Sequence, residues 1–443
     1  MYRLAWFLGE GFGIQAWNPA SAGAFTGTNA RDWPKADLYV DLTSSLERAG
    51  FDFLLIEDTS QVDDTFRGSA EVTLRVGLWA PKSDPLPLVP LLAQRTRHIG
   101  IVPTLTTTFY PPYLAARLLA TLDHLTDGRI GANIVTSGSE LAAQNYGYEK
   151  LPPKDVRYRM ANEWVEVMKQ LHQSWEPGAV IADVERGVYA DHAKVHPIHF
   201  KGEYFACRGP LNTIPGPQRT IPLVEAGNSP AGRDLAARYA DAMIAQCHTI
   251  EDMKAFREDM HARLKGYGRD PAEFRVMFLC SPVIAATDDE ARRRRDAYKA
   301  WRRTDAGVEY MLWYMEHVSG IDFGRYDLDT EVSALIAQIN ADKEVVSSLA
   351  KMFVGEEGKT LREVAQTREH VEDLGLIGST KTVADKMDAL MEEVGGDGFL
   401  LYMPTTRHQI AEVCDGLAPI LQRRGSIRSS YPHATFRDNL RSF

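Results

Sequence analysis

Polar residues follow three short apolar runs in this chain of 443 residues. Thr104 to Thr108 follow IGIVP, Thr136 to Ser139 follow GANIV, and Glu57 and Asp58 follow FDFLLI. If these runs are parallel strands, their hydroxyl, amide and carboxylate groups meet at one carboxyl edge, where α/β folds collect ligand-binding residues. Chemistry is therefore expected at this edge. An acidic pair such as Glu57 and Asp58 is equally typical of an ordinary loop or helix start.

A second candidate site is the segment VEAGNSPAGRDLAARYAD, in which a strand, Leu223 to Glu225, leads through small residues into a helix. Gly227, Asn228 and Ser229 stand just before that helix. Backbone N–H groups at a helix N-terminus are free to bind phosphate, and Ser229 adds a hydroxyl donor. An ordinary N-cap serine followed by proline explains the same residues. The two interpretations are compatible, because an N-cap can also face a ligand.

Other chemistries are not indicated by motifs. The sequence contains no H-E-x-x-H, no G-x-S-x-G and no P-loop, and GEGFG near the start lacks the spacing of a dinucleotide fingerprint. Metal-dependent barrel enzymes place histidines and carboxylates at several strand ends. No metal site is expected, because no histidine stands among the predicted strand-end residues, which are Glu57, Asp58, Thr104, Asn133 and Glu225.

Composition narrows the class of protein. The formal net charge is -10, and lysines and arginines are spread along the chain, which argues against a nucleic-acid partner. The one basic run, Arg292 to Arg295, is interpreted as a solvated helix face. No apolar run approaches the roughly 18 residues of a membrane span. A cytoplasmic protein with reduced thiols is expected, because its cysteines are widely spaced at Cys207, Cys247, Cys280 and Cys414.

Alternating strand and helix patterns predict the architecture. Eight strands are expected, and they begin near Leu4, Phe51, Ile99, Arg129, Ile221, Ala242, Phe274 and Gly398. Eight such units indicate a single (β/α)8 TIM barrel over residues 1–443. A hairpin excursion is predicted at about 195–222, and a lid-like insertion at about 304–378, before the last strand. The insertion's aromatic residues fit either a lid over the site or plain helix packing; they are Tyr310, Trp313, Tyr314 and His317.

Seven blocks in the same order resemble the bacterial-luciferase-like flavin monooxygenases, and they cover nearly the whole chain. The closest resemblance is to the branch with nitrilotriacetate, EDTA, dibenzothiophene sulfone and long-chain alkane monooxygenases. The blocks are TLTTTFYPPYLAARLLATLDHLTDGRIGANIVTS, KDVRYRMANEWVEVMKQLHQSW, HFKGEYFACRGPLN, VEAGNSPAGRDLAARYAD, MEHVSGIDFGRYDLD, LAPILQRRG and TFRDNL.

The resemblance implies roles for particular residues. Asp58 would lie near a flavin ring, and Thr104 and Asn133 would hydrogen-bond to it. Tyr158 and Ser229 would serve the phosphate end of the cofactor. Lys154 stands where the family pattern H-x-x-R-Y has histidine, and a lysine also binds phosphate as a point charge. Glu57 replaces a small residue of the family pattern and adds a carboxylate near the site.

The resemblance also implies a reaction. Reduced FMN, supplied by a separate NAD(P)H:flavin reductase, would react with O2 to form a C4a-(hydro)peroxide that oxygenates a small organic substrate. A homo-oligomer is expected, and no catalytic acid or base is assigned. Two alternatives stay open: a deazaflavin-dependent oxidoreductase of the same superfamily, and a flavin-binding protein without turnover.

Overall fold

Eight parallel strands form a closed barrel in the computed structural model, which describes residues 1–9, 33–77, 79–341, 353 and 355–442. Strand β1 pairs with both β2 and β8, which closes the sheet. The predicted (β/α)8 barrel is confirmed, and every strand overlaps a predicted one. In chain order the strands are β1 Arg3–Leu8, β2 Phe53–Ile56, β3 Gly100–Thr106, β4 Ala132–Val135, β5 Leu223–Glu225, β6 Ala242–Ala245, β7 Arg275–Cys280 and β8 Gly398–Tyr402.

Helices surround the barrel and cover its two ends. Many begin at a serine or threonine whose hydroxyl accepts a backbone N–H of the first turn, as Ser139, Ser229 and Thr249 do. The helices are α1 Ala36–Arg48, α2 Glu71–Val76, α3 Leu88–Arg95, α4 Pro112–Leu125, α5 Glu140–Asn145, α6 Lys154–Gln173, α7 Pro230–Tyr239, α8 Ile250–Gly266, α9 Asp288–Arg302, α10 Asp305–Ser319, α11 Val332–Ala341, α12 Leu361–Thr367, α13 Thr380–Val394, α14 Arg407–Ala411, α15 Ala418–Arg424 and α16 Phe436–Arg441.

Strand β4 begins three residues later than expected, because Arg129 belongs to the loop before the strand. Its guanidinium is buried and donates hydrogen bonds to Thr126, Thr96 and Ala93 at the base of the neighbouring elements. An arginine with these partners holds the loop before the strand in place. The strand itself starts only at Ala132.

The amino-terminal end of the barrel is filled by the C-terminal helix α16. Phe436 lies inside the barrel at 1% exposure and packs edge-on against Phe53, with ring centroids 5.7 Å apart. A Cβ atom at Gly100 or Gly131 would lie 2.3 or 2.8 Å from the Phe436 ring, so both glycines are needed for the close approach. The barrel is therefore sealed at this end and open only at the other.

Smaller strand pairs lie outside the barrel. The pair Phe200–Lys201 and Ala206–Cys207 falls within the predicted excursion, whereas the hairpin Val180–Asp183 with Val188–Ala190 was not expected. A third pair joins Val283–Ala285 to Ile377–Ser379. The division of residues 1–443 into one domain with these excursions stays a prediction.

A second apolar cluster lies apart from the barrel core. It joins the connection between β2 and α3 to the segment from α10 to α12, and its buried members include Phe66, Trp79, Met311, Trp313 and Phe323. Because this cluster packs two distant stretches of chain together, it sets the position of α10 near the carboxyl end of the barrel.

Candidate active site

A cavity of about 1020 Å³ opens at the carboxyl end of the barrel. Side chains at or near the ends of β1 to β4 and β6 to β8 line it, and Ala226 lines it directly after β5. Its volume is at the upper end of the range for small-molecule sites. Five of the predicted site residues lie on its wall, namely Asp58, Thr104, Asn133, Lys154 and Tyr158.

Thr104 and Asn133 lie side by side on neighbouring strands at the floor of the cavity. The register pairs them directly, and the Asn133 amide donates to the Thr104 hydroxyl at 2.9 Å. Thr104 in turn donates to the backbone oxygen of Ile56 at 2.8 Å. The Asn133 Oδ1 atom is buried and has no hydrogen-bond partner among the described residues. This pair therefore presents an unsatisfied acceptor to whatever fills the barrel mouth.

Asp58 lies next to this floor with a second carboxylate beside it. Glu57 forms an ion pair with Lys82, whose side chain is almost fully buried. Burial raises the pKa of Asp58 to about 7, Lys82 lowers it, and Glu57 and Asp84 raise it further. The cavity thus holds a carboxyl group that titrates near neutral pH.

Another part of the cavity wall is rich in hydroxyl groups and cations. Lys154, Arg157 and Tyr158 come from the first turns of α6, and the Tyr158 hydroxyl lies 3.2 Å from the Ser229 hydroxyl at the start of α7. Thr136, Ser137 and Ser139 follow β4 and line the same wall. Two helix N-termini and this set of donors suit an anion, above all a phosphate.

Arg157 is a site residue that the sequence reasoning did not assign. One guanidinium nitrogen donates to the Pro152 oxygen at 2.7 Å, while Nε is buried without a partner among the described residues. Its burial lowers the pKa of Arg157. The signal was present, since Arg157 is one helical turn from Lys154 and next to Tyr158, which places all three at the same end of α6.

Three of the predicted phosphate residues, Gly227, Asn228 and Ser229, are not among the residues that line the cavity, although the Ser229 hydroxyl lies beside Tyr158. Asn228 donates to the Gln246 oxygen at 2.7 Å and so ties the loop to the end of β6. Gly227 lies against Glu225, whose Oε1 would be 2.6 Å from a Cβ atom at that position. Burial raises the pKa of Glu225 to about 8, and the hydrogen bond from the Gly227 N–H lowers it. The Gly227 amide is thus directed at a carboxyl group of its own chain.

The predicted lid residues have different places. Tyr310 and Trp313 are buried in the second apolar cluster, and Tyr314 packs against it, as helix packing would require. His317 lies on the cavity wall and stacks on Trp79 with ring centroids 3.5 Å apart. Glu316 and Asp63 lie beside it on the same wall. The lid function of the insertion stays a prediction.

Residues 12–398 match the family model described as luciferase-like monooxygenase. The chain belongs to the luciferase-like monooxygenase family. This assignment makes it a flavin-dependent monooxygenase, in agreement with the sequence blocks and with the cavity at the carboxyl end of its barrel.

Relatives of this luciferase-like monooxygenase align with its sequence over most of their length. It is 33% identical over 404 residues to a long-chain alkane monooxygenase of Geobacillus thermodenitrificans, which covers 91% of the chain and 86% of the relative. It is 34% identical over 409 residues to a dimethyl-sulfide monooxygenase of Hyphomicrobium sulfonivorans, with coverage of 91% and 83%. The crystal structure of a riboflavin lyase with modified FMN superposes with a TM-score of 0.84 at 28% identity, covering 100% of this chain and 96% of the other.

The branch predicted from the sequence blocks is confirmed by these relatives. The alkane monooxygenase is one of the enzymes by which that branch was defined.

None of the described helices combines the length and the apolar character that a bilayer crossing requires.

Proposed function

We propose that this protein is the oxygenating component of a two-component system, which uses reduced FMN and O2 to oxygenate a small organic substrate. The observation that carries the proposal is the unsatisfied set of polar atoms on the cavity wall. Their chemistry matches the ring end and the phosphate end of FMN.

The ring end of FMN fits the floor of the barrel mouth. An isoalloxazine ring offers N–H donors and carbonyl acceptors along one edge, and Asn133 Oδ1 is a buried acceptor that lacks a donor among the described residues. A buried polar atom without a partner costs about 1–3 kcal/mol, which a ligand can offset. Asn133 and Thr104 would therefore orient the ring, with Asp58 beside it.

The phosphate end of FMN fits the part of the cavity wall formed by the first turns of α6. Arg157 Nε is a buried donor that lacks an acceptor among the described residues, and Lys154 lies exposed on the same wall. The Tyr158 and Ser229 hydroxyls, 3.2 Å apart, complete a set of donors for phosphate oxygens. Gly227 and Asn228 would support this set through the loop backbone that precedes α7.

When bound, reduced FMN supplies the electrons that activate O2, so that one oxygen atom enters the substrate and the other leaves as water. The chain itself binds the cofactor, orients its ring and limits the access of water. A flavin reductase is the partner that this chemistry requires, because reduced FMN must be supplied and no nicotinamide fingerprint stands in the sequence.

Titration with oxidised and reduced FMN, followed by oxygen consumption with an added reductase, tests the proposal. We expect FMN to bind, and oxygen use to increase when an oxidisable substrate is present. Binding of FMN without substrate-dependent oxygen use in a broad substrate screen would indicate a flavin-binding protein. Binding of a deazaflavin in preference to FMN would indicate the oxidoreductase alternative.

A further inference from the structure

A cluster of polar residues lies on the cavity wall where the connection after β2 meets α10. Asp63 and Thr65 come from the connection after β2, and Glu316 and His317 come from the C-terminal half of α10. Trp79 stacks on both His317 and Tyr314, so the second apolar cluster holds the two segments together. The cluster is therefore part of a packed wall.

Asp63 accepts most of the hydrogen bonds inside this cluster. Asp63 accepts from His317 Nδ1 at 3.1 Å and from the Thr65 hydroxyl and backbone N–H at 2.7 and 3.1 Å. Burial alone would raise the pKa of Asp63, but these donors lower it overall. Asp63 is thus a well-satisfied carboxylate.

Glu316 has the opposite surroundings. Its Oε1 atom accepts a hydrogen bond from the Thr65 hydroxyl, which Asp63 shares. Its Oε2 atom is buried and has no partner among the described residues. Burial raises the pKa of Glu316 to about 7, the Thr65 contact lowers it, and Asp63 and Asp322 raise it. Glu316 is 4% exposed and lies on the cavity wall, and its Oε2 atom lacks a donor among the described residues.

The cations near this cluster are already paired. Lys82 is paired with Glu57, and Arg325 with Asp322 at 2.8 Å. Of the described residues on the wall here, Asp58, Asp63 and Glu316 add acidic groups, and His317 is directed at Asp63. A carboxylate ligand would meet like charges at this cluster, whereas a positively charged or N–H-bearing ligand would meet acceptors.

We propose that the substrate of this monooxygenase is an organic amine, whose nitrogen donates a hydrogen bond to Glu316 Oε2. The inference rests on the proposed function, because it assumes that FMN occupies the Asn133 and Arg157 parts of the cavity. Once these two unsatisfied atoms are assigned to the cofactor, the acceptor on Glu316 is left for the substrate. His317 borders the same space and would position the nitrogen through its ring face or Nε2.

A comparison of the affinities of three matched probes tests this assignment. Binding of hexylamine, 1-hexanol and hexanoate to the FMN-loaded protein at pH 8 is measured by calorimetry. We expect hexylamine to bind at least about tenfold more tightly than hexanoate and more tightly than the alcohol. If hexanoate or hexanol binds the wild-type protein as tightly as hexylamine or more tightly, the proposal is overturned. The same holds if hexylamine does not bind.

A near-isosteric variant locates the effect. In Glu316→Gln the amine preference should fall about tenfold, while the affinity for FMN stays unchanged. Glu309→Gln is the matched control, because Glu309 lies on the same helix and pairs with Arg67 and Arg75 outside the cavity. A preference that survives in Glu316→Gln contradicts the assignment. If the wild-type protein fails to bind FMN at all, the proposed function fails, and the same three probes are compared on the protein without FMN, where equal or tighter binding of hexanoate or hexanol overturns the amine assignment.

Discussion

The two ends of the barrel satisfy their polar groups to different degrees. At the amino-terminal end, Asp52 receives two bonds from Arg428, at 3.0 and 2.6 Å, and the Leu4 backbone N–H at 3.1 Å. At the carboxyl end, Asn133, Arg157 and Glu316 each keep one buried atom without a partner among the described residues. The fold therefore ties buried aspartates to arginines at one end, and at the other it leaves polar atoms of cavity-wall residues without partners among the described residues.

The amino-terminal end repeats one device. An aspartate just before a strand accepts the N–H of a residue at the start of the neighbouring strand: Asp52 from Leu4, Asp241 from Leu223, and Asp397 from Val276. Arginines of the C-terminal segment then pair with two of these aspartates. Buried charges arranged in this way are costly to break. We expect stability to depend mainly on this end and ligand binding on the other, and the following changes test that contrast.

The largest effect is expected from Phe436→Ala at the amino-terminal end. Removal of the ring leaves a void inside the barrel between Phe53, Gly100 and Gly131, and should lower the free energy of unfolding by about 3–5 kcal/mol. Denaturant unfolding followed by circular dichroism measures it. Leu125→Ala is the control, since Leu125 is 57% exposed and should change stability by no more than about 0.5 kcal/mol. A loss below about 1 kcal/mol for Phe436→Ala would show that the plug is not a main source of stability.

The next largest effect is expected from a change in ligand binding at the carboxyl end. Arg157→Met keeps most of the apolar stem but removes the donors for phosphate, and should weaken FMN binding about 10- to 100-fold. The free energy of unfolding should change little, because among the described residues the Arg157 side chain has one hydrogen-bond partner, the Pro152 oxygen. Quenching of FMN fluorescence measures the affinity.

The control for that change is Arg159→Met. Arg159 lies on the same helix but is exposed and pairs with Asp155 and Tyr204 outside the cavity. Its substitution should leave FMN affinity within about twofold of the wild type. Equal losses in the two variants would mean that net charge, and not the position of Arg157, controls binding.

A pH-dependent effect is expected from Asp58→Asn. The folded pKa of Asp58 is about 7, above the ordinary value near 4, so wild-type stability falls as pH rises from about 4 to 7. An asparagine carries no charge at any of these pH values, so the variant does not lose this stability. The variant should therefore gain about 1–2 kcal/mol more at pH 8 than at pH 5, after an allowance for partial solvent screening. Unfolding curves at both pH values, with the exposed Asp64→Asn as control, measure it, and an equal gain at both would contradict the raised pKa.

Much of this arrangement was predictable from the sequence, and the physical reasons are clear. Parallel strands buried on both faces leave apolar runs, so the barrel and the strand-end pair of Thr104 and Asn133 followed from local pattern. The cluster around His317 and Asp63 did not, because these residues are 254 positions apart and meet only through the packing of Trp79. Arg157 resembled an ordinary solvated helix arginine until its burial was known.

The smallest change sharpens the contrast most, because Ser229 has a structural role and a proposed ligand role in one side chain. Its hydroxyl accepts the Gly232 N–H at 3.2 Å as the N-cap of α7 and also lies 3.2 Å from Tyr158 on the cavity wall. Ser229→Ala should lower the free energy of unfolding by about 1 kcal/mol and weaken FMN binding severalfold. Thr249→Ala removes the equivalent cap of α8, which lies away from the cavity, and should lower stability alone. If both variants lose the same stability and both keep the wild-type affinity for FMN, Ser229 is only a cap, and the phosphate site must rely on the α6 residues.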